Sequence, residues 1–253
     1  MTCRLFLAFA CMVALCAPAA AIVGGARNAG ATGKHIVMIV GARGNRGTLC
    51  TGTALTRDLV LTAAHCMAEG RYQIIPSMGA AATPIGAIAR HPRYDAQSYA
   101  RGRVTADVAL IKLAVPLPDH ISPAPLAAEG EVVAAGDRLL IAGFGVTVEG
   151  KDTSTGLARV VDLIVTGRPG TLQIRLVDPA TRGERSGLGA CIGDSGGPAF
   201  RKNVDKLMVI GVINWSTGPA ESEGCGGMTG VTPLTLYRGW VVEQAAKMGS
   251  PLP

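Results

Sequence analysis

The sequence predicts an all-β protein whose strands fall into two successive halves, and three observations carry that expectation. The 34 glycines and 15 prolines among 253 residues punctuate the chain at short intervals, and the segments between them are apolar, β-branched and of strand length. No sustained helical heptads run through it. A stretch from Leu113 to Gly136, with prolines at 116, 118, 123 and 125, breaks the strand pattern and separates two groups of such segments. A chain of this length buries a substantial core and lies outside the small stapled scaffolds. Aromatic residues make up only 4%, so aliphatic side chains must fill that core. The formal charge of +6 comes from scattered cations rather than one run, which describes a solvated basic surface. No nucleic-acid motif accompanies it, so nucleic acid is not an expected partner.

In chain order, Met1 to Ala21 carries one cation, Arg4, then an apolar stretch from Leu5 to Leu15, then Pro18 and Ala19-Ala20-Ala21. This is the pattern of a secretory signal peptide. A membrane anchor is the alternative, since no charge interrupts Leu5 to Val23. Pro18 and the small residues favour cleavage, which leaves no stable membrane association. Strands are expected at His35 to Val40, Thr48 to Leu55, Leu59 to Thr62 and along Val104 to Ile111 in the first half, residues 22 to about 120. The second half, about 130 to 233, offers Asp137 to Val146, Leu157 to Val165, Thr171 to Val177 and Leu207 to Trp215, then a Gly-rich loop through Gly230. From Leu234 to Met248, apolar Leu236, Trp240, Val241 and Ala245 follow helical spacing, so a terminal helix is expected, stopped by Gly249 and Pro251.

Three positions carry chemistry. In Gly193-Asp194-Ser195-Gly196-Gly197 a serine sits in a tight glycine turn, which exposes its hydroxyl and lets backbone N–H groups converge beside it. Local turn preference alone would also produce such a loop. Upstream, Thr62-Ala63-Ala64-His65-Cys66 places a histidine just past a strand, where a structural role is the ordinary one. Asp107 lies in an apolar run, and a carboxylate there needs partners, whereas Asp58, Asp95 and Asp119 stand among turn residues. The histidines His35, His91 and His120 have no comparable surroundings.

Together with Ile22-Val23-Gly24-Gly25 after the leader, these motifs resemble the chymotrypsin/trypsin family of secreted serine proteases, from about Ile22 to Met248. The resemblance implies two packed six-stranded antiparallel Greek-key β-barrels with a C-terminal α-helix. It also implies a serine endopeptidase working through an acyl-enzyme. His65 would be the general base, Asp107 the group orienting it and Ser195 the nucleophile, with Gly193 and Ser195 N–H groups binding the oxyanion. Ile22, once its amine is free, would pair with Asp194. A protein or peptide substrate, protein protease inhibitors as further partners, a monomer and an extracellular or periplasmic location follow. No cofactor and no metal are implied.

With Cys3, Cys11 and Cys16 in the leader, Cys50, Cys66, Cys191 and Cys225 remain, and exported cysteines of even number imply disulfides. The sequence leaves three pairings open; the resemblance selects Cys50 with Cys66 and Cys191 with Cys225. Zinc is disfavoured because no paired C-x-x-C occurs.

The chain departs from the family at three points. Ala21, not Arg or Lys, precedes Ile22, so removal of the leader itself is expected to free the amine. The resemblance puts the base of the substrate pocket at Gly189 and its wall at Ala190 and Gly230, with no acid, which removes the counter-charge for a basic P1 residue. Asn214-Trp215-Ser216 stands where the family usually has Ser-Trp-Gly, and Ser216 adds bulk at the pocket mouth. An uncharged P1 residue of small or medium size is therefore expected. Gly193 to Gly197 also fits the G-x-S-x-G pattern of α/β-hydrolases, but those place the catalytic histidine after the serine, and all 4 histidines here precede it. A catalytically silent binding or regulatory protein on a protease-like fold is the remaining alternative.

Overall fold

The computed structural model describes residues 22–44, 46–68, 70–98, 101, 103–167, 172–204 and 206–253. The expected leader with its cysteines lies outside these residues, as does Thr171. Where β-branched and aliphatic residues run between turn formers, strands form: β1 (Arg27–Asn28), β2 (Ile36–Arg43), β3 (Arg46–Ala54), β4 (Leu59–Thr62), β5 (Arg71–Ile75), β6 (Ile85–Arg90) and β7 (Ala109–Leu113). After the proline-rich connection come β8 (Arg138–Gly143), β9 (Arg159–Val165), β10 (Ile174–Val177), β11 (Pro198–Asn203), β12 (Lys206–Ser216) and β13 (Met228–Pro233). Among the described residues there is one α-helix, α1 (Arg238–Lys247), after β13. The expected helix start at Leu234 is a 3-10 turn, Leu234–Leu236, and the α-helix begins only after Tyr237.

Every ladder is antiparallel. In the second half β9 pairs with both β8 and β10, so that β9, β10, β13, β12, β11 and β8 close into a barrel, with β1 added outside β9. Closure removes the sheet edges. The first half forms a 6-stranded sheet in the order β5, β2, β3, β4, β7, β6. Its outer strands approach through a single bridge, Ile74 with Thr83, so this sheet is a half-barrel rather than the closed barrel expected. Pro76 and Pro84 bracket the β5–β6 connection, and neither has an N–H to extend a ladder.

The core is aliphatic, with Phe200 its largest fully buried side chain. One cluster joins the first sheet to the facing side of the second through Phe200, Val209 and Val212, and takes in Val241 and Ala245 of α1. A second fills the closed barrel, where Ile22 packs with Leu139, Ile141, Ala190, Ile213 and Val231. His91 is part of this packing rather than of any site. Its ring stacks edge-on against Tyr237 (5.1 Å) and lies against Trp240 (4.9 Å), Nδ1 accepts the Arg93 N–H, and burial holds its pKa below the usual histidine range. Among the described residues no helix is long and apolar enough to cross a membrane.

The end of the chain is fastened to the first sheet by a polar cluster. Asp58 accepts Lys112 Nζ (2.5 Å), Ser250 Oγ (2.6 Å) and Thr56 Oγ1 (2.7 Å). Desolvation raises the Asp58 pKa, but those hydrogen bonds outweigh it and hold the carboxyl at about 2. A carboxyl depressed by folding stabilises above its unfolded pKa, and that contribution is lost as pH falls toward about 2. Asp58→Asn is therefore expected to be less stable than the parent at pH 5, by about 1 kcal/mol after allowing for solvent screening, with the difference closing by pH 2. Denaturant unfolding across that range measures it. A constant offset at every pH would show that the charge of Asp58 contributes nothing.

Candidate active site

The site is assembled from both sheets. β4 and β7 are antiparallel neighbours, with Thr62 opposite Ala109. The chain leaving β4 turns through a 3-10 segment, Ala64–Met67, while the chain entering β7 arrives through Asp107. His65 and Asp107 thus emerge at the same end of adjacent strands. His65 Nδ1 lies 2.7 Å from Asp107 Oδ2, and the His65 backbone N–H donates to Oδ1 at 2.8 Å. Both carboxylate oxygens are used, which satisfies a group whose side chain is only 6% exposed. The bond to Nδ1 fixes the imidazole plane, and Nε2 lies 3.7 Å from Cys66 Sγ.

Ser195 comes from the loop between Gly189 and β11. It lines the same cavity, about 780 Å³, as His65 and Asp107. Most backbone groups of the loop are bonded. Asp194 N–H donates to Cys191 O (3.0 Å), Gly196 N–H to Ile213 O (2.7 Å) and Gly197 N–H to Asp194 O (2.9 Å). The Gly193 and Ser195 N–H groups have no acceptor among the described residues. The Ile192 carbonyl accepts the Val146 N–H at 2.8 Å, and in a trans peptide this turns the Gly193 N–H the opposite way. Two unspent donors beside a hydroxyl are what a developing oxyanion requires.

Glycine is required at two of these positions. Gly193 has φ +96°, and a Cβ there would stand 2.8 Å from Gly145 Cα and 2.9 Å from Leu49 Cδ2. At Gly196, φ +83°, a Cβ would collide with Thr62 Oγ1 and Thr51 O.

Thr51, absent from the sequence-based set, docks this loop on the first sheet. Its N–H donates to Ser195 O (2.8 Å), its hydroxyl to Gly193 O (2.8 Å), and its own carbonyl accepts Thr62 Oγ1 (2.9 Å). Beside it, the Cys50–Cys66 disulfide ties β3 to the turn that carries His65. These sulfurs and His65 form a cluster of metal-ligand type, but a disulfide offers no thiolate to a metal.

Ala190, Asn214, Trp215 and Ser216 line the cavity, while Gly189 and Gly230 do not. Gly189 bridges to Val23 and is buried beneath. Gly230 sits in β13 under the Trp215 indole, where a Cβ would strike the ring. Opposite residues 214–216, the wall is Glu223, Gly224 and Cys225, held by the Cys191–Cys225 disulfide. Ser216 Oγ reaches Gly224 O at 3.4 Å across the mouth. The floor is uncharged, with Ala190 N–H bonded to Thr229 Oγ1 at 3.0 Å. At the rim the sequence-based set missed Glu149, which accepts the Cys225 N–H at 3.3 Å, and Gln173, which accepts the Trp215 Nε1–H at 2.7 Å.

Asp194 is fully buried and accepts N–H groups from Gly145 and Cys191, each at 2.9 Å. Burial outweighs these two bonds and pushes its carboxyl from the usual 3.8 up to about 7. Ile22 is fully buried in the same barrel.

A family model described as Trypsin matches residues 22–241. Serine protease SP24D of Anopheles gambiae is 32% identical over 212 residues, spanning 78% of this chain and 72% of its own length. Trypsin 5G1 of Aedes aegypti is 28% identical over 214 residues, 77% of this chain and 74% of its own. Transmembrane protease serine 9 of Rattus norvegicus is 28% identical over 247 residues, 84% of this chain but 21% of that longer protein.

The raised Asp194 pKa sets a stability expectation for a chain that retains residues ahead of Ile22. The folded form holds a proton that the unfolded form releases near pH 3.8, so stability is greatest at low pH and falls as pH rises toward about 7. Asp194→Asn in that uncut chain should abolish the decline. Denaturant midpoints at pH 4, 5.5 and 7 measure it, and an unchanged slope in the variant would assign the decline elsewhere.

Proposed function

Because the chain belongs to the trypsin family and is a serine endopeptidase acting on protein substrates, we propose that it cleaves peptide bonds through Ser195, His65 and Asp107. The observation that carries this is the 2.7 Å bond from His65 Nδ1 to buried Asp107, made at the cavity that Ser195 also lines. His65 Nε2 removes the Ser195 proton as the oxygen attacks the scissile carbonyl, and later returns it to the leaving amine. Asp107 keeps the imidazole in the tautomer that accepts at Nε2 and stabilises the imidazolium. The Gly193 and Ser195 N–H groups bind the oxyanion. Water then adds to the acyl-enzyme by the same proton route in reverse.

The active form begins at Ile22, freed as the leader is removed after Ala21. Its ammonium pairs with Asp194, which needs a cation to remain ionised at full burial. That Ile22 already lies inside the closed barrel supports this short path. The apolar leader and the two disulfides support export to an extracellular or periplasmic space. The mature chain acts as a monomer, open to protein protease inhibitors at the same cleft.

For P1 we assign an uncharged residue of small or medium size. The floor at Ala190 carries no charge, and Ser216 and Gly224 narrow the mouth. Glu149 and Glu223 are exposed at the rim rather than buried at the base.

A fluorophosphonate is expected to label the secreted protein on one residue, with Ser195→Ala unlabelled and peptide hydrolysis reduced by a factor on the order of 10³ or more. Labelling that survives in Ser195→Ala, or an unlabelled parent, sinks the assignment. In a peptide library, Ala, Val, Ser or Thr should dominate P1; preferred cleavage after Arg or Lys would show that Glu149 or Glu223 reaches into the pocket.

A further inference from the structure

We propose that the Thr51 side chain is a positioning residue for the oxyanion site, holding the Gly193 peptide from the opposite sheet so that the Gly193 N–H is aimed at the reacting carbonyl. The proposal rests on the assignment of Ser195 and Gly193 made above. Thr51 lies on β3, paired with Met38 of β2, and is fully buried. Its hydroxyl contacts two backbone groups of the second sheet's loops, Gly193 O at 2.8 Å and Phe144 N at 3.1 Å. An amide N–H can only donate, so the hydroxyl accepts from Phe144. Its one hydrogen is thereby directed to Gly193 O. Neither bond competes with water, because all three groups are buried.

The geometry of residue 193 explains why this bond matters for chemistry as well as for packing. Gly193 has no Cβ and sits at φ +96°, so nothing intrinsic holds its two flanking peptide planes. The preceding plane, which contains the Gly193 N–H, is held at its other end by Val146 N–H on Ile192 O at 2.8 Å. The following plane is held at its nitrogen by Asp194 N–H on Cys191 O at 3.0 Å and at its oxygen by the Thr51 hydroxyl. From the same residue, Thr51 N–H grips Ser195 O at 2.8 Å. One residue of the first sheet therefore holds the peptide planes that follow Gly193 and Ser195, each adjoining at its Cα the plane that carries the donor N–H. Any residue except proline makes the main-chain bond, but only a hydroxyl makes the bond to Gly193 while accepting from Phe144. The Thr51 methyl also fills the space above Gly197, where a Cβ would meet it at 3.2 Å.

Thr51→Val keeps the shape and removes the hydroxyl; Thr51→Ser keeps the hydroxyl and removes the methyl. In the secreted, processed protein, Thr51→Val is expected to react with a fluorophosphonate about ten- to a hundredfold more slowly than the parent, less than the loss of an oxyanion donor itself. Thr51→Ser is expected to stay within about threefold of the parent. On the best-cleaved library peptide the loss should fall on kcat with KM unchanged, since the oxyanion forms only in the transition state. Thermal unfolding of each variant is measured alongside, because the valine leaves a buried carbonyl and amide unpaired. If Thr51→Val does not fold, Thr51→Ala against Thr51→Ser asks the same question with a single oxygen as the difference. Equal labelling rates for the hydroxyl and hydroxyl-free variants overturn the proposal, as does a rate loss that only tracks the unfolded fraction or falls on KM. Ser195→Ala run in parallel separates the two claims: if it still labels, the underlying assignment fails whatever Thr51 does.

Discussion

The structure depends on one seam, where the loop from Cys191 to Gly197 of the closed barrel lies against β3 of the half-barrel. The serine belongs to one sheet and the imidazole to the other, so their separation is only as well defined as this contact. Close approach is possible because Gly193, Gly196 and Gly197 present backbone without Cβ atoms. It is held by hydrogen bonds from Thr51 to Ser195 O and Gly193 O, and by the Cys50–Cys66 bond that anchors β3 to the turn bearing His65. The apolar cluster shared by the two sheets supplies the cohesion, whereas these polar links supply the register.

Two buried aspartates show how differently a carboxylate can be accommodated in such a seam. Asp107 spends both oxygens on His65, one on the ring and one on the backbone, and the ring is itself able to take a positive charge. Asp194 has two N–H donors and, among the described residues, no cation, so burial prevails and its carboxyl is pushed up to about 7. The first arrangement is complete as it stands. The second lacks a cation among the described residues, and the Ile22 ammonium proposed above is the group that would supply one.

Much of this was legible in the sequence because the residues concerned violate local expectations. An aspartate inside Val104–Ile111 has no cheap structural explanation, the serine turn gains meaning only beside His65 and Asp107, and the position of every histidine before Ser195 excluded the competing hydrolase fold. Strands β2, β4, β9 and β12 followed from β-branched runs. Other features left no local trace. β6 is mostly exposed and reads Ile-Gly-Ala-Ile-Ala-Arg without alternation, and β11 begins at Pro198 directly after the serine turn. β13 reads as a Gly-rich loop, yet Gly230 is a strand residue left bare to receive the Trp215 ring. Thr51 stands 142 residues from the Gly193 carbonyl it holds, a distance at which no periodicity or turn preference carries information.

The same division separates the chemistry of the cleft from its selectivity. The groups proposed above to make and break bonds are buried or multiply tethered, and each tether restricts the residue types allowed, so their identity concentrates into short motifs. The rim of the cleft is under weaker constraint. Glu149, Glu223, Arg103, Arg175 and the 64% exposed Ile192 all line the cleft from loops or strand ends. Solvated charges and exposed aliphatic groups there cost little to exchange, because water compensates what a neighbour does not. A substitution at the rim therefore leaves the seam as it is.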